Sequence, residues 1–251
     1  MKKLIIIFSV LCFLGCDSED AGDCFQKSGE IVRQEIEVPD FSEIMVYDKI
    51  KLFIEQGAEH KVIIESGENL MNEITVEVEE GLLVLKNENV CNLVRDYGIT
   101  KIYVTTPNLE YLRHAGNIPL ESVGRLNFEN LWLVSENQAL DPEIYTNGDF
   151  ILDLEVQNLR ITNDNYSHFF LTGSVENFDG FFAAGDGRLE ARDLVVQNYD
   201  LFHRGTNKLI VNPQQSLKAD IYSYGDIISI NRPPQVNVTE HFRGKLIFEV
   251  P

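Results

Sequence analysis

The sequence predicts an all-β protein whose C-terminal half is a parallel β-helical solenoid. Three observations carry that expectation. Short runs of alternating apolar and polar residues begin near residue 30 and recur through the rest of the chain, the mark of half-buried strands. No window of about a dozen residues combines helical periodicity with capping residues. From Asn108 to Leu246 a degenerate unit recurs about every 20 residues, which signals rungs that bury their apolar faces only by stacking on their neighbours.

The chain opens with Met1-Lys2-Lys3, an apolar run over residues 4–14, and Gly15-Cys16. That run is too short to span a bilayer, which needs about 20 residues, and with its basic start it reads as a secretory signal peptide. The break Phe13-Leu14-Gly15-Cys16 resembles the lipobox of bacterial lipoproteins, although Phe13 stands where leucine is usual. The resemblance implies cleavage after residue 15 and lipidation of Cys16; a plain signal peptide with an incidental cysteine is the competing reading. Each buried methylene of an acyl chain contributes about 0.8 kcal/mol, so several chains hold a protein on a membrane without a transmembrane helix. Asp17-Ser18-Glu19-Asp20 is similar to the acidic tract that sends Bacteroidetes-type lipoproteins to the outer surface. Residues 1–15 are thus expected to be a signal, residues 16–29 an acidic tether, and the location an outer membrane, surface-exposed rather than facing the periplasm.

The net charge of −19, without a basic stripe, excludes phosphate neutralisation and hence nucleic acid as a partner. No acidic stretch has calcium-loop spacing. Of four cysteines, Cys12 falls in the signal and Cys16 is the lipid site. Cys24 and Cys91 remain, either as a disulfide contributing roughly 4 kcal/mol on the chain-entropy view or as two free thiols.

From residue 30 the strands follow one another between turn dipeptides: Pro39-Asp40, Gln56-Gly57, Ser66-Gly67, Glu80-Gly81 and Pro107-Asn108. One short helical turn is expected over residues 68–73, and a loop over 93–100. No Pro- or Gly-rich linker interrupts the chain, so residues 30–251 are expected to form a single β domain, with strands over 30–107 running into rungs over 108–250.

Each rung opens on a polar residue followed by an apolar one. The openings are Asn108, Asn130, Asn158, Asn177 and Asn198, then Ser216 and Gln235. A turn residue follows at Gly116, Asn137, Asn165, Gly187, Asn207, Gly225 and Gly244. Two positions later come Ile118, Ala139, Ser167, Leu189, Leu209, Ile227 and Leu246. Gly and Asn interchange at the turns because both tolerate positive φ. The recurring asparagines are expected to stack as an amide ladder; independent hairpin turns in an antiparallel sandwich are the alternative. The long interval from Asn130 to Asn158 must hold an excursion, placed around residues 141–148.

Several stretches carry a family resemblance: Asp40-Phe41-Ser42-Glu43-Ile44, Gln56-Gly57, Glu68-Asn69-Leu70, Gly81-Leu82-Leu83-Val84-Leu85, and the Gly-x-Gly turns of the second half. On these the chain resembles the head-GIN domain family of auto-transporter adhesin heads, common in Bacteroidetes. Only Gly185-Asp186-Gly187 keeps both turn glycines, and Gly205-Thr206-Asn207 shows the drift. The resemblance implies a right-handed, pectin-lyase-like parallel β-helix and a role in cell adhesion, with no catalytic residues.

The five histidines have no metal-ligand spacing, so no metal or other cofactor is expected. His114 and His203 each lie two residues before a repeat glycine, where the ladder could bring them to one face. There is no Gly-x-Ser-x-Gly elbow or phosphate-cradling loop. The many aspartates of the repeat region could supply a carboxylate pair of the kind glycosidases use, the weaker reading of an enzyme. Aromatics offer binding surface instead. In Phe169-Phe170 and Phe181-Phe182, strand alternation points one ring inward and its neighbour out. Tyr222 and Tyr224 are expected to share one exposed side of a strand. The sequence therefore points to a lipid-anchored, non-enzymatic surface protein that meets a glycan or a host or cell-surface protein. An oligomerising envelope module is the alternative.

Overall fold

The computed structural model describes residues 27–89, 98–137 and 139–249. Cys16, Cys24 and Cys91, on which the lipid and disulfide expectations rest, lie outside the described residues. The protein is all-β, and its strands join into one large sheet that is not closed into a barrel.

The first part mixes strand directions. β1 (Ile31–Ile36), β4 (Lys61–Gly67) and β7 (Lys101–Thr106) pair antiparallel, with β4 in the middle. β5 (Ile74–Glu79) and β6 (Leu82–Asn87) form a hairpin. Its turn residues Glu80 and Gly81 both have positive φ, at 50° and 86°, as a type I′ turn requires. β2 (Glu43–Tyr47) runs parallel to both β6 and β8 (Tyr111–Ala115), and β3 (Lys51–Gln56) runs parallel to β7. A short 3₁₀ helix occupies Glu68–Glu73, where the single helical turn was expected.

From β9 (Leu120–Ser135) onward every described pairing is parallel. β9, β10 (Phe150–Asn163) and β11 (His168–Phe182) are long strands stacked in sequence. Past β11 each rung divides into two strands. One ladder continues through β13 (Leu194–His203), β15 (Pro213–Ile221) and β17 (Gln235–Glu240). The other continues through β12 (Arg188–Glu190), β14 (Leu209–Val211), β16 (Ile227–Ser229) and β18 (Leu246–Phe248). β8 and β3 both pair with β9, so the mixed strands meet the parallel ones along hydrogen-bonded edges. One continuous apolar cluster runs from Phe41 to Ile227 across both parts.

The register explains the alternation. Leu131, Leu159, Phe178, Tyr199 and Leu217 lie level with one another and are buried. Phe150 stacks on Phe169 at 4.6 Å, and Phe178 meets Tyr199 at 4.8 Å. Side-chain columns of this kind follow directly from parallel, in-register rungs about 4.8 Å apart.

The register also corrects the expected equivalences at the second ladder. The residues level with Leu189, Leu209, Ile227 and Leu246 are Leu120, Phe150 and Phe169, not Ile118, Ala139 and Ser167. Turn length varies between rungs, so counting from the turn residue slips where an apolar side chain facing the core does not. Asn137 ties off the excursion before β10: its amide donates to the carbonyls of Asp141 and Ile144 and accepts from the Asp141 N–H.

The turn residues owe little to positive φ. Among Gly116, Asn137, Asn165, Gly185, Gly187, Gly205, Asn207, Gly225 and Gly244, only Gly185 has it, at 77°. Close approach explains the remaining glycines better. At Gly225 a Cβ would sit 2.1 Å from the Asn207 carbonyl oxygen and 2.3 Å from His203 Nε2, so any side chain would push adjacent rungs apart.

Candidate functional site

Alternate residues of the parallel strands point outward, so equal register turns one sequence position into one surface column. The first column is amide. Asn130, Asn158, Asn177, Asn198 and Ser216 are level, with Gln235 next to Ser216. Asn158 Nδ2 donates to Asn130 Oδ1 at 2.9 Å, Asn177 to Asn158 at 3.0 Å and Asn198 to Asn177 at 3.2 Å. Ser216 Oγ closes the run on Asn198 Oδ1 at 2.9 Å. Asn108 stands outside it. β8 meets β9 with Tyr111 level with Trp132, which slips Asn108 out of line, and its amide donates to the Glu110 carboxylate instead.

Two residues further along each strand runs a charged column of Trp132, Arg160, Asp179, Asp200 and Lys218. Arg160 lies over the Trp132 ring at 4.8 Å and 3.7 Å from Asp179, while Lys218 meets Asp200 at 2.7 Å. The hydrogen bond to Asp200 raises the Lys218 pKa above its ordinary value. Trp132 is fixed further by the edge of Tyr111 at 5.3 Å and by its indole N–H on Thr162 at 3.0 Å. Between the amide and charged columns lies an open trough of about 570 Å³.

Beyond the charged column the surface turns aromatic. Phe181 stacks on Phe202 at 4.8 Å, Phe202 meets Tyr222 at 5.1 Å, and Tyr222 lies flat on His241 at 3.9 Å. His241 is held by Asp220 at 2.8 Å. Tyr224 packs edge-on against Phe242, and Arg243 covers both rings. Tyr222, Tyr224 and Phe242 are 42 %, 55 % and 50 % exposed. The two tyrosines do not owe this to one strand face. β15 ends at Ile221, both lie in the turn that follows, and they take different aromatic partners. Phe169 and Phe182 point inward and Phe170 and Phe181 outward.

His114 and His203 are buried and take no part in this face. They occupy matching corners: each donates Nε2–H to a carbonyl four residues on, Ile118 at 2.8 Å and Asn207 at 2.9 Å. Burial pushes both imidazoles down to about 4. The repeated His-x-Gly spacing was visible in the sequence; its meaning, a neutral ring closing an inner corner, was not. No group of acidic, histidine or cysteine side chains suited to a metal ion occurs among the described residues.

Solved structures share the architecture. A "putative adhesin" from Bacteroides fragilis NCTC 9343 is similar with a TM-score of 0.75 at 17 % identity, covering 88 % of this chain and 99 % of its own. A "Putative lipid binding protein" from Parabacteroides distasonis ATCC 8503 matches with a TM-score of 0.61 at 17 % identity, covering 87 % and 97 %. A "putative adhesin" from Parabacteroides merdae ATCC 43184 matches at 0.60 and 15 %, covering 88 % and 98 %. At such identities these likenesses speak for the fold alone. No curated protein matches the chain in sequence. A family model does, over residues 40–233, a span holding the amide column from Asn130, the charged column to Lys218 and most of the aromatic surface. The chain belongs to the family described as "Putative auto-transporter adhesin, head GIN domain".

Proposed function

We propose that the protein is a surface adhesin without catalytic activity, tethered through a lipidated Cys16 to the outer membrane and displaying a right-handed parallel β-helix. The observation that carries the adhesion reading is the continuous outward face of the C-terminal sheet. Amides, paired charges and exposed aromatics stand there in columns that the parallel register fixes. Exposed aromatic and arginine side chains gathered on one rigid surface are the composition of interaction hot spots, and the family's description supports adhesion. Catalysis is disfavoured by the charged column, where Asp179 and Asp200 each stand against a cation. Two in-register ladders support the β-helical winding. No helix among the described residues is long and apolar enough to cross a membrane, and a lipid at Cys16 would supply attachment, with Cys24 and Cys91 bonded near the tether.

The test uses cells that display the protein. Deleting it should lower their attachment to the surfaces they colonise, and Cys16→Ser should lower attachment as far by releasing the folded protein from membranes. Undiminished attachment after deletion contradicts adhesion, and membrane retention of the Cys16→Ser protein contradicts the anchor.

A further inference from the structure

We propose that the trough between the amide and charged columns binds a neutral glycan chain, lying across successive rungs. The inference rests on the adhesion reading and names its ligand class.

The amide column sets the chemistry. Asn158 and Asn177 each spend one N–H and one oxygen lone pair on the neighbouring rungs. A carboxamide has two N–H donors and two acceptor lone pairs, so each keeps one of both for a ligand. Sugar hydroxyls donate and accept, and satisfy such a surface from either side. Sulfate and carboxylate groups only accept, and would leave the oxygens of the column unanswered.

The charged column agrees. Arg160 pairs with Asp179 and Lys218 with Asp200, and Glu110, which also lines the trough, leaves one negative charge in excess, so the trough offers charge-assisted partners to hydroxyls and no spare cation to a polyanion. The chain as a whole carries −19, which repels polyanions on approach. A volume of about 570 Å³ suits several sugar rings rather than one. The amide recurs from Asn130 to Asn198 on rungs about 4.8 Å apart, and a repeating ligand matches that repeating column. The aromatic column is less suited to sugar stacking, because Phe181 with Phe202 and Tyr222 with His241 cover one another's faces.

Titration calorimetry of the mature protein against neutral oligosaccharides of increasing length, with sulfated and sialylated counterparts, tests this. Neutral chains should bind, more tightly as they lengthen towards the span of the trough, with little dependence on salt. Asn177→Ser should weaken binding about tenfold, the effect of one lost hydrogen bond. It should leave the Tm nearly unchanged, because a serine already serves as a link in the column at Ser216. The double variant Asp200→Ala, Lys218→Ala should weaken binding at least as much. Failure of every neutral chain to bind, preference for the anionic ones, or binding by both variants as tight as that of wild type overturns the proposal. If the protein still attaches to cells stripped enzymatically of glycans, the glycan inference falls while adhesion stands; if it attaches to no cell, both fall.

Discussion

Replacing Gly185 with alanine is expected to destabilise the protein by about 3–4 kcal/mol and to lower its Tm by roughly 10 °C. Two costs combine at this position. The backbone φ of 77° lies in the left-handed region, where a Cβ costs about 1–2 kcal/mol. That Cβ would also sit 2.3 Å from the Asn165 carbonyl oxygen of the preceding rung. A backbone carbonyl cannot swing aside like a side-chain tip. Asn165 is moreover the acceptor for the Asp186 N–H, so relief by moving the rung breaks a hydrogen bond. Thermal unfolding followed by circular dichroism measures the effect. A Tm within a few degrees of wild type would mean that the turns, unlike the strands, do not set the spacing of the rungs.

Acid should weaken the fold through the two inner histidines. His114 and His203 are 1 % and 0 % exposed, and burial lowers both to about 4. At His114 the hydrogen bonds also specify the neutral ring: Nε2–H donates to the Ile118 carbonyl while Nδ1 accepts the Gly116 N–H at 3.1 Å. A second proton would face a donor. His203 Nδ1 is buried without a partner among the described residues, so a proton there would find no acceptor among them. In the unfolded chain both rings take up protons near their ordinary value of about 6.5. Between about 6.5 and 4 the unfolded state therefore binds more protons, and stability falls as the pH drops through that window. The loss is on the order of 3 kcal/mol for each histidine at its lower end, and stability is flat with respect to these groups above it. Denaturant titrations at neutral pH and at pH about 4 should show that loss, and His203→Leu, between the apolar Phe182 and Ile221 of adjacent rungs, should remove about half of it. A stability equal at the two pH values would contradict the buried, neutral assignment. Glu65, lowered by its hydrogen bonds to Lys101 and Arg33, acts in the same direction below the ordinary carboxylate value, so it does not mask the histidine window.

The sequence made the repeat legible because the polar opening of each rung faces solvent and the residue after it faces the core. That constraint is the same in every rung, and from Asn130 to Gln235 the openings lie level with one another. Turn positions carried less information. Asn137 ties off a loop with its side chain, Gly225 makes room for a carbonyl, and Gly185 alone among them uses positive φ. One composition thus serves three physical needs, and spacing measured from the turns drifted. The mixed strands before residue 107 read as strands, yet their order did not: β4 lies between β1 and β7, pairings between distant segments that alternation cannot express. The outward face lay between these cases. Tyr222 and Tyr224 were visible as exposed aromatics, but Arg160, Asp179, Asp200 and Lys218 form a column only once the register is known.

If the outward face of the parallel sheet is the adhesive surface, attachment of beads that carry the protein depends on that face. Beads coated with equal amounts of mature protein are flowed over target cells and the fraction retained is counted. Wild type and Ile151→Ser, Phe170→Ser, which alters a separate trough on the other ladder, should be retained. Asn177→Ser, Asp200→Ala, Lys218→Ala, combined in one variant that removes amide and charged groups from the trough, should lose retention, with Tm values showing every variant folded. Equal retention by the trough variant and wild type, or loss confined to the Ile151 and Phe170 variant, would show that adhesion does not run through this face.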